Sequence, residues 1–132
     1  MKTYIATSIS RVKDQQELAQ ALRGLDVELT FDWTKNGTLA GRSHDEVAQD
    51  EIMGVAEADF LVVLLPGGRG THVELGAALM AGKPVFIHAA DEAVLLGGDG
   101  YPCVFYRHPL VQLVVGSQEQ LMGAIQKELV EL

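Results

Sequence analysis

The chain has 132 residues, 48% apolar and 21% charged, a balance that describes a folded globular domain rather than a disordered segment. Eighteen acidic residues against ten Lys and Arg give a formal net charge of −8, which leaves no basic track for a nucleic-acid polymer. The lone Cys103 excludes a disulfide framework and a cysteine-based zinc site, and the longest apolar run, "FLVVLL", is far shorter than the roughly 20 residues of a membrane-spanning helix.

The opening residues "MKTYIATSIS" carry no long apolar stretch of the kind a secretory signal needs, so a cytoplasmic protein without membrane contact is expected. "KTYIAT" then reads as a first strand and "KDQQELAQALRG" as a helix that Gly24 can end. "VELTFDW" alternates apolar positions as a second strand does and places Trp33 at its exit, where an indole either fills a half-buried rim or stacks on a ligand ring. After the loop "TKNGTLAGR", Ser43 can cap a helix running to about Glu57 with Val47, Ile52 and Val55 on one side. "FLVVLL" is β-rich and almost free of polar residues, as a central strand buried on both faces is. A glycine-rich turn and a helix from Thr71 to Ala81 follow, then a strand "PVFIHA", a loop "LLGGDGYP", a short strand "CVFY" and a last helix opened by a Ser117/Gln120 capping box.

Strands and helices in alternation predict a single-domain α/β fold of the doubly wound, flavodoxin- or Rossmann-like kind: a five-stranded parallel sheet with helices on both faces. In such sheets ligands sit beyond the carboxyl ends of the strands, where the strand order reverses. With a flavodoxin-like order that crevice lies between the first and third strands, walled by "ATSISR" and "PGGRGTHVE".

Glu74 stands out in the second of these segments. Thr71 and Glu74 have the spacing of a capping box, so local sequence allows the glutamate to be a helix cap and nothing more. A cap does not require Gly67, Gly68 and Gly70 in the preceding turn, whereas close approach of backbone to a ligand does. The positive end of the helix dipole would also favour an ionised carboxylate, the state a nucleophile needs.

"YIATS", "EADFLVVLLPGGRGTHVELGAAL" and "AGKPV" together resemble the nucleoside 2-deoxyribosyltransferase family, whose relatives include nucleoside 5′-monophosphate N-glycosidases. The resemblance spans most of residues 2 to 90. It implies one such domain over residues 1–132, with Glu74 as the nucleophile that attacks the anomeric carbon and Tyr4 as the residue that positions it. It places Glu51, with Asp50 adjacent, as the carboxylate that binds the base or protonates it as it leaves. Ser8 fits the phosphate-binding version of the first loop, with Lys13 nearby as a counter-charge. The serine those relatives carry before the E-L-G helix is replaced by Gly68, with Arg69 and Gly70 beside it, so the need for a 5′-phosphate stays open. No cofactor is implied. The partner is a small nucleoside or nucleotide, and the assembly is a homodimer or higher oligomer in which a neighbour completes the pocket. The apolar helix "VELGAALMAGK" would form that contact.

"PGGRGTHVE" is also similar to the signature of LOG-type nucleoside 5′-monophosphate phosphoribohydrolases, although the upstream glycine-rich motif of that group is missing. Both groups break an N-glycosidic bond and use the glutamate that matches Glu74. A non-catalytic nucleotide or ADP-ribose sensor is the alternative from outside enzymology. Asp59 reads as a polar strand start, His44, His72, His88 and His108 share no metal-ligand spacing, and His72 is expected to point away from Glu74. Tyr106 and His108, after the expected fifth strand, are weaker candidates for the pocket rim or a subunit interface.

Overall fold

The computed structural model describes residues 1–36 and 41–131. In chain order the elements are β1 (Lys2–Ala6), α1 (Val12–Arg23), β2 (Glu28–Leu29), α2 (Trp33–Asn36), α3 (His44–Glu57), β3 (Phe60–Leu64), α4 (Arg69–Met80), β4 (Val85–Ala89), β5 (Val111–Val115) and α5 (Gln118–Glu131). All five strands are parallel, in the order β2-β1-β3-β4-β5, which is the flavodoxin-like order with its reversal between β1 and β3.

Side chains alternate across the sheet and divide the core in two. Tyr4, Ala6, Leu61, Val63, Val85 and Ile87 face a layer built by α3 and α4, where Val55, Leu75 and Ala78 close the packing. Ile5, Val62, Leu64 and Phe86 face α1 and α5, with Leu18, Leu22, Leu121 and Ile125 above them. Every residue of "FLVVLL" is buried, as a strand covered on both faces must be. Each such Leu, Val or Phe contributes about 1.5–3 kcal/mol of burial free energy.

Four local readings of the sequence are corrected. "CVFY" is not the fifth strand: Val104–Arg107 forms a 3-10 turn, and the strand is the β-branched run Val111–Val115 beyond Pro109. With Pro102 before it and Pro109 after it, "CVFY" is too short between two breaks to enter a ladder, whereas Val111–Val115 pairs along the whole of β4. The second strand shrinks to Glu28–Leu29, and Trp33 opens a one-turn helix instead of ending a strand. The remainder of the expected 34–42 loop at residues 37–40 lies outside the described residues. Gly24 ends α1 in right-handed backbone, and Asp26 takes the left-handed conformation at φ 61°. Ser43 occupies the N-cap of α3 in extended backbone, yet its hydroxyl makes no bond to the helix amides. The Ser117/Gln120 box forms as expected, with distances of 2.7 and 3.1 Å.

Candidate active site

The carboxyl ends of β1 and β3 meet the start of α4 at a cavity of about 260 Å³ lined by Tyr4, Thr7, Ser8, Ile9, Trp33, Glu51, Gly68, Gly70, Thr71 and Glu74. Seven residues singled out in the sequence, Tyr4, Ser8, Trp33, Glu51, Gly68, Gly70 and Glu74, are therefore brought to one place. Asp50 and Arg69 are not. Asp50 follows a different side of α3 from its neighbour Glu51 and pairs with Arg42. Arg69 is exposed at the first position of α4 and borders an open depression with Gly67, His72 and Val73. Lys13 is exposed on α1 and does not line the cavity.

Glu74 is not a cap. The helix begins two residues earlier than the sequence suggests, at Arg69 with Gly68 as N-cap, and the Thr71 hydroxyl accepts from the Gly68 N–H at 3.1 Å. Glu74 consequently falls in the second turn, 6% exposed, where the Tyr4 hydroxyl donates to its carboxyl at 2.6 Å. That length is typical of a hydroxyl bound to a carboxylate.

The electrostatics correct another expectation. Burial pushes the Glu74 carboxyl up to about 8, the Tyr4 hydrogen bond pulls down against it, and the charge of Glu51 adds to the rise. At neutral pH the protonated form of Glu74 therefore predominates. Burial also raises Glu51 above the ordinary carboxylate range. Burial, and next the Glu74 carboxyl, hold the Tyr4 phenol far above its usual range, so it remains a donor.

Local packing explains how these groups are fixed. A Cβ on Gly54 would stand 2.9 Å from the Tyr4 ring, so only glycine lets α3 lie close enough to β1 to bring Glu51 to the cavity. A Cβ on Gly67 would meet Thr71 at 2.5 Å, which makes that glycine a packing requirement. Gly68 and Gly70 have open space where a side chain would go, and both line the cavity. Trp33 donates its indole N–H to the Ile5 carbonyl at 2.8 Å, a bond that sets the ring as a fixed wall. Ser8 bonds Ser10 at 2.6 Å and the Pro66 carbonyl at 3.2 Å, tying the β1 and β3 loops together.

Several residues were not legible beforehand. Thr7 and Thr71 line the cavity, and their hydroxyls are engaged by Leu64 and Gly68. His72 does point away from the cavity, but it meets Tyr106 at 2.7 Å. Tyr106 therefore precedes β5 and stands beside the α4 turn, while His108 accepts from the Leu110 N–H at the opposite end of β5. Asp59 likewise belongs to that far edge, accepting from the Lys2 N–H at 2.8 Å. A cavity of about 290 Å³ between Phe60, Phe86, Leu110 and Leu129 lies at that same edge, and Glu128 brings a carboxylate to its lining. Among the described residues no group of three or more His, Cys, Asp or Glu is arranged to hold a metal ion, and no helix is long and apolar enough to cross a membrane.

Among solved structures the chain is similar to the CMP N-glycosidase BcmB of Clostridium botulinum, with 17% sequence identity, a TM-score of 0.65, and coverage of 96% of this chain and 99% of that one. At that identity the likeness is one of fold. No protein-family model matches the chain, and no curated protein matches its sequence.

Proposed function

We propose that this chain is an N-glycosidase or glycosyltransferase acting on a nucleoside, deoxynucleoside or its 5′-monophosphate, built as a single nucleoside 2-deoxyribosyltransferase-like domain over residues 1–132. The observation that carries the reading is the buried Tyr4–Glu74 hydrogen bond in a cavity that also holds Glu51. In the first step a Glu74 oxygen bonds to C1′ as the C1′–N bond breaks, and the bond's electron pair leaves with the base. Glu51, whose carboxyl burial raises above its ordinary range, is the general acid that protonates that base. Water, or a second base in transfer, then attacks C1′, loses its proton to Glu51 and frees the Glu74 carboxylate. This is the two-carboxylate logic of retaining glycosidases. Tyr4 stabilises the charged form of Glu74 before attack and after release. Ser8, Gly68 and Gly70 face the sugar and its 5′ substituent, and Trp33 walls the base. Arg69 and Asp50 act from the rim or through Arg42. The CMP N-glycosidase activity of the structural neighbour supports this reaction class.

A second reading has its own observation. A Glu74 raised to about 8 is mostly neutral at pH 7, which a non-catalytic nucleotide sensor tolerates. Incubation with a panel of nucleosides and 5′-monophosphates, followed by chromatography for free base, separates the two. Base release is expected, and Glu74→Gln should lower it by about 10⁴-fold, with Glu51→Gln costing about 10²–10³-fold. Binding without release, or full turnover by Glu74→Gln, would refute the enzyme reading.

The chain acts in the cytoplasm as a homodimer or higher oligomer. Val73 and Met80 on α4, 60% and 90% exposed, and Ile52 and Met53 on α3 are exposed apolar side chains on the two helices that also carry Glu74 and Glu51, and such surface suits a subunit contact. Sedimentation as a monomer with undiminished activity on dilution would exclude that assembly.

A further inference from the structure

Gly68 is gripped on both of its peptide groups. Its N–H donates to the Thr71 hydroxyl at 3.1 Å, and its carbonyl lies 2.8 Å from His72 Nδ1. A carbonyl can only accept, so Nδ1 carries the proton. In a neutral imidazole Nε2 is then a bare acceptor, and the Tyr106 hydroxyl 2.7 Å away donates to it. The chain of bonds runs from the β4–β5 connection, through His72, to the turn that walls the Glu74 cavity. Tyr106 is itself held: it is 8% exposed, its N–H bonds the Cys103 carbonyl at 3.1 Å, and its ring lies 5.8 Å from the imidazole.

The turn needs such a restraint. At Gly68 and Gly70 a side chain would meet nothing beyond the local backbone within 4 Å, so no side-chain packing fixes either position, and the backbone bond to the Gly68 carbonyl, from the His72 N–H, is a long 3.4 Å. Glycine samples more backbone conformations than any other residue. Because a trans peptide sets its C=O and N–H in opposite directions, fixing the Gly68 carbonyl toward His72 turns the Arg69 N–H outward from the helix start.

We infer that His72 and Tyr106 form a clamp that holds the Gly67–Gly70 turn in its cavity-lining form, with both acting as positioning residues. Neither lines the Glu74 cavity, so neither touches the reacting atoms. The clamp is a matter of geometry, and only its effect on turnover rests on the N-glycosidase reading. The clamp affects how well the sugar side of a nucleotide is held, and leaves the Glu74–Tyr4 pair intact. Loss of the clamp is therefore expected in KM rather than kcat.

The experiment compares wild type, Tyr106→Phe, His72→Leu and the double variant by nitrogen NMR of the imidazole, by amide exchange across residues 67–70, and by kinetics on whichever nucleotide the wild type cleaves. Wild-type His72 should show the Nδ1–H tautomer. Each single variant should speed exchange at the Gly68 N–H, which the intact turn holds to the Thr71 hydroxyl, and raise KM, about tenfold for Tyr106→Phe, which removes one hydrogen bond, and at least as much for His72→Leu, which removes two, with kcat held within about twofold. The double variant should be no worse than His72→Leu, because the two residues act in series. An Nε2–H tautomer, unchanged exchange in both single variants, or a loss confined to kcat would overturn the clamp. If the wild type releases no base, the proposed reaction fails, while tautomer and exchange still decide the clamp.

Discussion

Helices on the two faces of the sheet each bury a long polar side chain, Glu74 on α4 and Gln15 on α1, and the two are treated differently. On one face of the sheet α4 buries Glu74, 6% exposed, against the Tyr4 hydroxyl and beside an open cavity. On the other face α1 buries Gln15, 1% exposed, and neither amide atom has a hydrogen-bond partner among the described residues. Burial by itself does not mark a site. The carboxyl can change its charge, so the cost of its burial appears as a raised pKa that a reaction can use. The amide has no second protonation state, and its cost is a fixed loss of stability. A partner, a cavity and a titratable atom together distinguish the first face from the second.

The largest break in that comparison is at Tyr4. Tyr4→Phe keeps the ring that packs under Gly54 and removes only the donor to Glu74. Activity should fall about 10²-fold, as when one preorganised donor is removed from a charge that develops in the transition state, here the carboxylate that returns to Glu74 on release. A second readout carries the sign. In the wild type kcat/KM should rise with pH through about 8 as Glu74 ionises. The Tyr4 bond pulls that value down, so its loss should move the limb to higher pH. A limb that stays in place would mean that another group titrates.

Glu74 also predicts how stability varies with pH. Its folded value of about 8 lies above the ordinary 4.5, so the folded chain holds the proton more tightly than the unfolded chain does. Its contribution is complete below pH 4.5 and is lost as pH rises toward 8. Between these limits unfolding free energy should fall by on the order of 4 kcal/mol, and Glu74→Gln should flatten the decline. Denaturant midpoints for both proteins across that range test it. A wild-type curve that rose with pH would contradict the burial argument.

The legible part of the molecule was the part set by periodicity and local glycine chemistry. The all-buried run 60–65 announced a central strand, and its place between helices announced the parallel order. The start of α4 was misread because a Thr-x-x-Glu spacing suits a cap as well as a buried pair. Only the long-range contact between Tyr4 and Glu74, 70 residues apart, decides between them. Asp50 and Glu51 could not be separated by sequence counting, since a step of one helical position alone turns one toward Arg42 and the other toward the cavity. The dipole argument favoured an ionised Glu74 because a sequence gives the helix start and not the depth of burial. Tyr106 could be named only as a weak candidate for the rim, and its partner was hidden by the misplaced fifth strand: once "CVFY" becomes a turn, its tyrosine reaches His72.

The smallest expected effect tests the other face. Gln15→Met nearly preserves side-chain volume and removes both unpartnered amide atoms from a layer that Leu18, Leu22, Leu121 and Ile125 help to build. An amide buried without a bond costs about 1–3 kcal/mol, and part of that returns when a thioether takes its place. The variant should be more stable by about 1 kcal/mol, a rise of about 3–5 °C in Tm for a domain of this length. Base release should be unchanged, because Gln15 does not line the Glu74 cavity. Gln15→Glu makes the comparison symmetrical by placing a titratable carboxyl on this face without a tyrosine to receive it, and its stability should fall as pH rises. Thermal melts of the three proteins at two pH values read both effects. A Met variant less stable than wild type would show that the Gln15 amide does useful bonding in solution, and the contrast between the two faces would then be lost.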